Sequence, residues 1–264
     1  MTRVLSGAAL AAVFFTVVWF ASPAVLVVVA LAVGALAFHE YAALMRALGA
    51  AIPRLPALIA TLGAIVIVPF PYFASEAVVG AGLVLVAIAV MRVAGDDRRA
   101  AVFGVLSGGF ATLYIGLALG SLVGIHVFGG RGAVLLLVGT IVISDTAQYY
   151  SGRTFGRHPL APRLSPKKTI EGAIGGFVAA PLFLFFVGPY LIPVAPPLHV
   201  AGLGVALVIC GIAGDLFESL IKRAADMKDS SALIPGHGGV LDRIDALLFA
   251  TPLFYSYVRW VYTP

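Results

Sequence analysis

Charge is scarce in this chain. Asp, Glu, Lys and Arg make up 11% of its 264 residues, whereas hydrophobic residues reach 61%. Soluble domains carry roughly 25% and 45–50% respectively. With a mean hydropathy of +1.06, the balance excludes an ordinary water-soluble domain. The single cysteine, Cys210, lies in an apolar run, so an intramolecular disulfide is excluded and a cysteine-built zinc cluster lacks ligands. Ser/Gly linkers, charge tracts and low-complexity tails are missing, which predicts one integral membrane domain over 1–264 and no nucleic-acid partner. No internal repeat is visible, which argues against transporters built from duplicated halves. The G-x-x-x-x-G-K-[ST] loop that cradles nucleotide phosphates is absent as well.

Long apolar runs are what the chain has in abundance. They are continuous rather than alternating, so they fit helices and not a membrane β-barrel. The spacing predicts an all-α polytopic membrane protein of about nine spans: 4–21, 24–45, 55–73, 77–92, 101–128, 133–150, 172–192, 198–221 and 244–261. The first run is too long for the apolar part of a secretory signal. Alternating the connections across the bilayer puts every Lys and Arg except Arg131 and Arg259 on the side of the N-terminus. The positive-inside rule makes that side cytoplasmic. The N-terminal spans then occupy about 1–128 and the chemistry about 133–264, with two long cytoplasmic loops, 151–171 and 222–243.

Acidic residues inside such runs need a reason, because each costs about 2.5–3.5 kcal/mol at a span centre. Glu40 follows His39 in the second span, and its plainest reading is a residue near the cytoplasmic helix end. Asp145 opens DTAQYYSGRTFGRH at the end of the sixth span, as a site residue or as a helix-end acid bonded to a neighbour. GDLFESLIKR in the eighth span carries Asp215, Glu218, Ser219 and Lys222 on one helical face. That stripe faces the protein interior or a wet cavity, or forms a salt-bridge seam between helices. Asp242 and Asp245 share a face at the start of the ninth span, where acids also suit a helix N-terminus. Gly238 and Gly239 just before them permit unusual dihedrals or close backbone approach. His237 fits a base, a phosphate donor or a loop-stabilising hydrogen bond equally well.

Carboxylates at helix ends beside Lys167, Lys168, Lys222, Arg223, Lys228 and Arg243 are the inventory of phosphoryl chemistry. The acids hold Mg²⁺ and the cations neutralise charge on a polyanion. The residues alone therefore predict a Mg²⁺-dependent enzyme handling phosphates at the cytoplasmic face.

The stretch SLIKRAADMKDSSALIPGHGGVLDRID, 219–245, resembles the signature of phosphatidate cytidylyltransferases (CDP-diacylglycerol synthases). Its anchors are Ser219, Lys222, Arg223, Lys228, Asp229, Pro235, His237, Gly238, Gly239, Asp242, Arg243 and Asp245. DTAQYYSGRTFGRHPLAPRLSPKKTIEG, 145–172, is similar to a second element of that family, with Gln148 where a small residue is expected. The resemblance implies attack of a phosphatidate phosphate oxygen on the α-phosphorus of CTP at a multi-pass cell membrane. It implies Asp215 and Asp242 as the first metal ligands, Asp245 and Asp145 as the next, and one Mg²⁺ or two. Lys222 and Arg223 join Asp215 and Asp242 as catalytic residues. Lys167, Lys168, Ser219, Lys228, His237, Gly238, Gly239 and Arg243 would bind substrate. A homodimer is common in the family. Two other readings compete: another Mg²⁺-dependent lipid phosphotransferase, which DRID alone would fit, and an ion-coupled transporter, which would want acids nearer span midpoints.

Overall fold

A computed structural model describes residues 12–70, 80, 82–89, 97–234 and 238–262. The chain divides into two compact units, Met1–Gly124 with Ile221–Ile244, and Ile125–Leu220 with Asp245–Pro264. The grouping differs from a simple split into N-terminal spans and C-terminal chemistry. The second long loop, 222–243, belongs with the N-terminal helices.

The first unit contains α1 (Pro23–Ala47), α2 (Arg54–Ile67), α3 (Arg98–Ala111), a π-helical turn (Thr112–Leu117) and the start of α4 (Ala118–Phe155). Shorter helical segments cover 12–20 and 82–89. Local sequence explains the ends of α1. Ser22 caps it, accepting from the Val25 N–H at 3.4 Å, and Pro23 takes the first position, where its missing N–H costs nothing. At the other end Gly49 adopts φ +88°. The Gly49 N–H bonds the Arg46 carbonyl and the Ala50 N–H that of Met45, both at 2.9 Å. That pair of bonds is a Schellman stop, which needs the left-handed residue glycine supplies.

Apolar packing fills the unit around Tyr41, which is buried, donates its hydroxyl to the Ser107 carbonyl at 3.1 Å and lies against Phe110 and Tyr114. The π turn passes close to α2. A Cβ built on Gly116 would lie 2.6 Å from the Thr61 carbonyl oxygen and 2.9 Å from the Ala64 Cβ. Small residues at such a crossing let backbones approach where lipid offers no hydrophobic drive.

In the second unit the rest of α4 is followed by a hairpin, β1 (Pro159–Ala161) and β2 (Ser165–Thr169). Then come α5 (Ile170–Leu191), α6 (Pro197–Ala224) and α7 (Leu241–Tyr262). Gly130, at φ 71° and ψ −176°, breaks α4 where a connection is expected between spans 101–128 and 133–150. The expected loop 151–171 is more ordered than the sequence suggests. Helix α4 runs on to Phe155, and β1 and β2 pair antiparallel with Pro159 opposite Thr169.

Among the described residues, four helical stretches are long and apolar enough to cross a membrane: Pro23–Ala47, Arg98–Phe155, Ile170–Leu191 and Pro197–Ala224. The chain is thus a helical membrane protein. Arg98–Phe155 has 58 residues. At 1.5 Å per residue a straight helix of that length would far exceed a hydrocarbon core of about 30 Å, so the Gly130 break is needed. Parts of the expected spans 4–21 and 77–92 lie outside the described residues.

Gly116→Val should lower detergent-phase stability by about 1–3 kcal/mol, because the branched side chain must displace the Thr61 backbone. Gly63→Ala, where an added Cβ meets nothing within 4 Å, should leave the thermal unfolding midpoint unchanged or raise it. Equal midpoints for Gly116→Val and wild type would contradict this packing.

Candidate functional site

The acidic end of α7 and the turn before it form a closed hydrogen-bonded set within the first unit. Helix α6 ends near Ala224, and the chain turns through Asp226 at φ 54°. It turns again between Ile234 and Gly238, whose N–H···O=C bond measures 2.8 Å. Gly238 sits at φ +77°, a conformation costly for any side chain, and Gly239 follows against Ser230 and Glu40 with no room for a Cβ. The glycine pair is thus required by the backbone.

Asp242 organises this turn. Its Oδ1 accepts from the Lys222 ammonium at 2.5 Å. Its Oδ2 accepts from the Ser230 N–H at 2.9 Å, the Ser230 hydroxyl at 2.8 Å and the Gly239 N–H at 2.8 Å. The bond back to Gly239, three residues earlier, resembles half of a capping box. The two side chains of the ion pair are 13% (Lys222) and 5% (Asp242) exposed. Burial works against ionised Asp242, but the Lys222 ammonium and the Gly239 and Ser230 donors outweigh it and hold the carboxyl at about 2. Three of the four donors crowd onto Oδ2 and one takes Oδ1. Asp242, expected as a metal ligand, is the counter-ion of Lys222 in this structure.

Glu40, on α1, completes the set. It is 4% exposed. Its Oε1 accepts from the Ser231 hydroxyl at 2.7 Å and the Val240 N–H at 3.0 Å. Its Oε2 accepts from the Leu241 N–H at 2.8 Å and the Ser230 hydroxyl at 3.1 Å. Val240 and Leu241 lie at the start of α7, where N–H groups have no partner in their own helix. A carboxylate there also meets the positive end of the helix dipole.

The second unit holds the other acids. Asp145 (α4), Asp215 (α6) and Asp245 (α7) lie within electrostatic range of one another and of Lys168. The Lys168 ammonium pairs with Asp215. The hairpin delivers it, since alternation along β2 leaves Lys167 exposed and turns Lys168 inward. Glu171 fastens the hairpin's entry, accepting from the Arg157 N–H at 3.0 Å and the His158 N–H at 3.3 Å. It also meets the His158 ring Nδ1 at 2.6 Å. Gln148, the odd residue of the 145–172 segment, donates to Ser144 Oγ at 2.9 Å and Asp145 Oδ1 at 3.3 Å. Ser219 donates to Asp215 at 3.4 Å.

The remaining predicted residues are peripheral. Arg223, Lys228 and Arg243 are exposed in the first unit, with Arg223 reaching the Met227 carbonyl at 3.4 Å. His237 lies outside the described residues. Among the described residues no three His, Cys, Asp or Glu side chains are disposed to hold a metal ion. Of the acids expected as ligands, Asp145 lies within electrostatic range of Asp215 and Asp245, and carboxylate oxygens are the ligand type Mg²⁺ takes. The Lys168 ammonium already answers the same negative field. Sequence reasoning missed Ser230, Ser231 and the role of Glu40. The buried acid itself was the signal, but its partners lie some 190 to 201 residues away.

The model of the Cytidylyltransferase family matches residues 1–261. Over 135 residues the chain is 40% identical to Uncharacterized protein YnbB of Escherichia coli K12, covering 51% of this chain and 45% of that one. Over 133 residues it is 46% identical to phosphatidate cytidylyltransferase of Haemophilus influenzae, covering 48% and 46%. For the enzyme of that name in Aquifex aeolicus the figures are 43% over 122 residues, 46% and 45%. The chain spans about half the length of the curated relatives it matches.

The depressed Asp242 carboxyl sets an acid limb of stability. A carboxyl lowered from 3.8 to about 2 contributes fully above pH 4 and loses its contribution as pH falls through 2. Between pH 4 and 2 the unfolding midpoint in detergent should fall more steeply for wild type than for Asp242→Asn. Parallel curves would contradict the ion pair.

Proposed function

The chain belongs to the cytidylyltransferase family, and from that premise we propose that it is a phosphatidate cytidylyltransferase, converting CTP and phosphatidate into CDP-diacylglycerol and pyrophosphate. The observation that carries this reading is the Lys222–Asp242 pair inside its turn. It is a cation in the last turn of α6, paired with an acid in the first turn of α7 and accompanied by exposed Arg223, Lys228 and Arg243. The names of the Haemophilus and Aquifex relatives support the same substrates. We read the nine spans, the cytoplasmic N-terminus and the cell-membrane location from the charge distribution. Both long loops then face the cytosol, where CTP is.

The reaction asks little covalent chemistry of the protein. A phosphatidate phosphate oxygen, already anionic, attacks the α-phosphorus of CTP. One P–O bond forms, the bond to the β-phosphate bridging oxygen breaks, and pyrophosphate departs with its electron pair. Positioning and charge stabilisation supply most of the rate. Asp242 directs the Lys222 ammonium toward phosphate oxygens, and exposed Arg223, Lys228 and Arg243 draw the polyanion from water. Within the second unit, Lys168 brings an ammonium from β2 to the acidic residues. Asp145, Asp215 and Asp245 are the acids that would hold Mg²⁺, which would supply charge stabilisation at the phosphates. Apolar flanks of the helices leave the acyl chains in lipid.

Purified protein in mixed micelles, given radiolabelled CTP and phosphatidate, should form CDP-diacylglycerol with Mg²⁺ and lose that activity with EDTA. Label transfer from a CDP-alcohol instead, with none from CTP, would replace the proposal with another lipid phosphotransferase. Lys168→Ala should cost at least about tenfold more in kcat/KM than Lys167→Ala, since only Lys168 engages the acidic group. The opposite order would remove Lys168 from the site.

A further inference from the structure

We propose that Glu40 is a positioning residue for this reaction, holding the turn Ser230–Leu241 so that Asp242 presents the Lys222 ammonium in one direction. The proposal rests on the cytidylyltransferase reading and extends it to a residue far from both signature segments.

Glu40 lies in an apolar helix with only 4% of its surface exposed. Among the described residues it meets no cation there. All four of its bonds go to the turn: the hydroxyls of Ser230 and Ser231 and the N–H groups of Val240 and Leu241. Ser230 is shared: its N–H donates to Asp242, and its single hydroxyl proton is divided between Asp242 Oδ2 and Glu40 Oε2. The path from Glu40 to Lys222 therefore runs through one serine and one aspartate, each contact at 3.1 Å or less. Gly239 adds an independent sign of close fit. A Cβ there would collide with Ser230 Oγ and the Glu40 carboxylate together.

The four bonds distinguish an anchor from a helix-end acid kept for solubility, which would face water. They also define what substitution does. A glutamine keeps one carbonyl oxygen but turns an NH₂ donor toward donors, stranding either the Val240 or the Leu241 N–H. Leaving such a buried group unmatched undoes the fit on that side of the turn. Aspartate keeps both acceptors on a shorter stem. The turn then loses its fixed register, and Asp242 with it. Reorientation of a group by about 1 Å can cost a hundredfold in rate.

The test uses the full chain in nanodiscs, with two readouts on Glu40→Gln, Glu40→Asp and Ser231→Ala. Steady-state kinetics with CTP and phosphatidate should show kcat falling about tenfold or more in Glu40→Gln, beyond any rise in the KM for CTP. Glu40→Asp should fall between it and wild type, and Ser231→Ala should move the same way by less. Hydrogen exchange should quicken at Val240 and Leu241 in Glu40→Gln and stay unchanged along α1 and α2. Wild-type kcat in Glu40→Gln, or exchange that quickens throughout α1 and α2, would overturn the positioning role. Should Glu40→Gln fail to fold, unchanged kcat and exchange in Ser231→Ala would overturn it. If wild type itself forms no CDP-diacylglycerol, the functional proposal falls, and exchange at 240 and 241 still decides the anchor.

Discussion

Four donors converge on the carboxylate of Glu40, and none comes from its own helix. Placing an acid in an apolar helix is costly, and the cost is met only when its oxygens replace the water they lose. Here the replacement is the start of α7, whose N–H groups need an acceptor as much as the acid needs donors. The same contact ties the turn 230–241 to the N-terminal helices. It explains why 221–244 groups with residues before 125 and not with its chain neighbours.

A polar turn that must hold a cation next to lipid faces opposing demands. An unpaired buried ammonium would lose most of its solvation energy, whereas a freely hydrated one would have no direction. Pairing Lys222 with Asp242, and saturating Asp242 with backbone and serine donors, meets both demands. Buried ion pairs contribute uncertainly to net stability, and a fixed geometry is their better-attested benefit. The second unit follows another plan. There Asp145 lies within electrostatic range of Asp215, Asp245 and Lys168, and Lys168 pairs with Asp215.

Much of this was legible in the chain. Apolar run lengths placed α1, α5 and α6, and the gap between the runs 101–128 and 133–150 contains the break at Gly130. Lys222 and Asp242 stood out because charged residues in fixed spacing are rare in so apolar a sequence. Two other features were hidden for physical reasons. Which donors reach a carboxylate is set in space, so the pairing of Asp242 with Lys222 and Ser230 was not legible in the chain. The β1–β2 hairpin is short and polar, and its order comes partly from Glu171 gathering the N–H groups of Arg157 and His158. Glu40 showed only the anomaly of its burial, since its partners are set by tertiary contact.

The account depends on Glu40 acting through Asp242. A double-mutant cycle on CTP affinity, with Glu40→Gln and Asp242→Asn alone and together, measures that dependence directly. The effects should be non-additive by about 0.5–3 kcal/mol, with Glu40→Gln costing little once Asp242 is already changed. Two losses that simply add would show that Glu40 and Asp242 act independently.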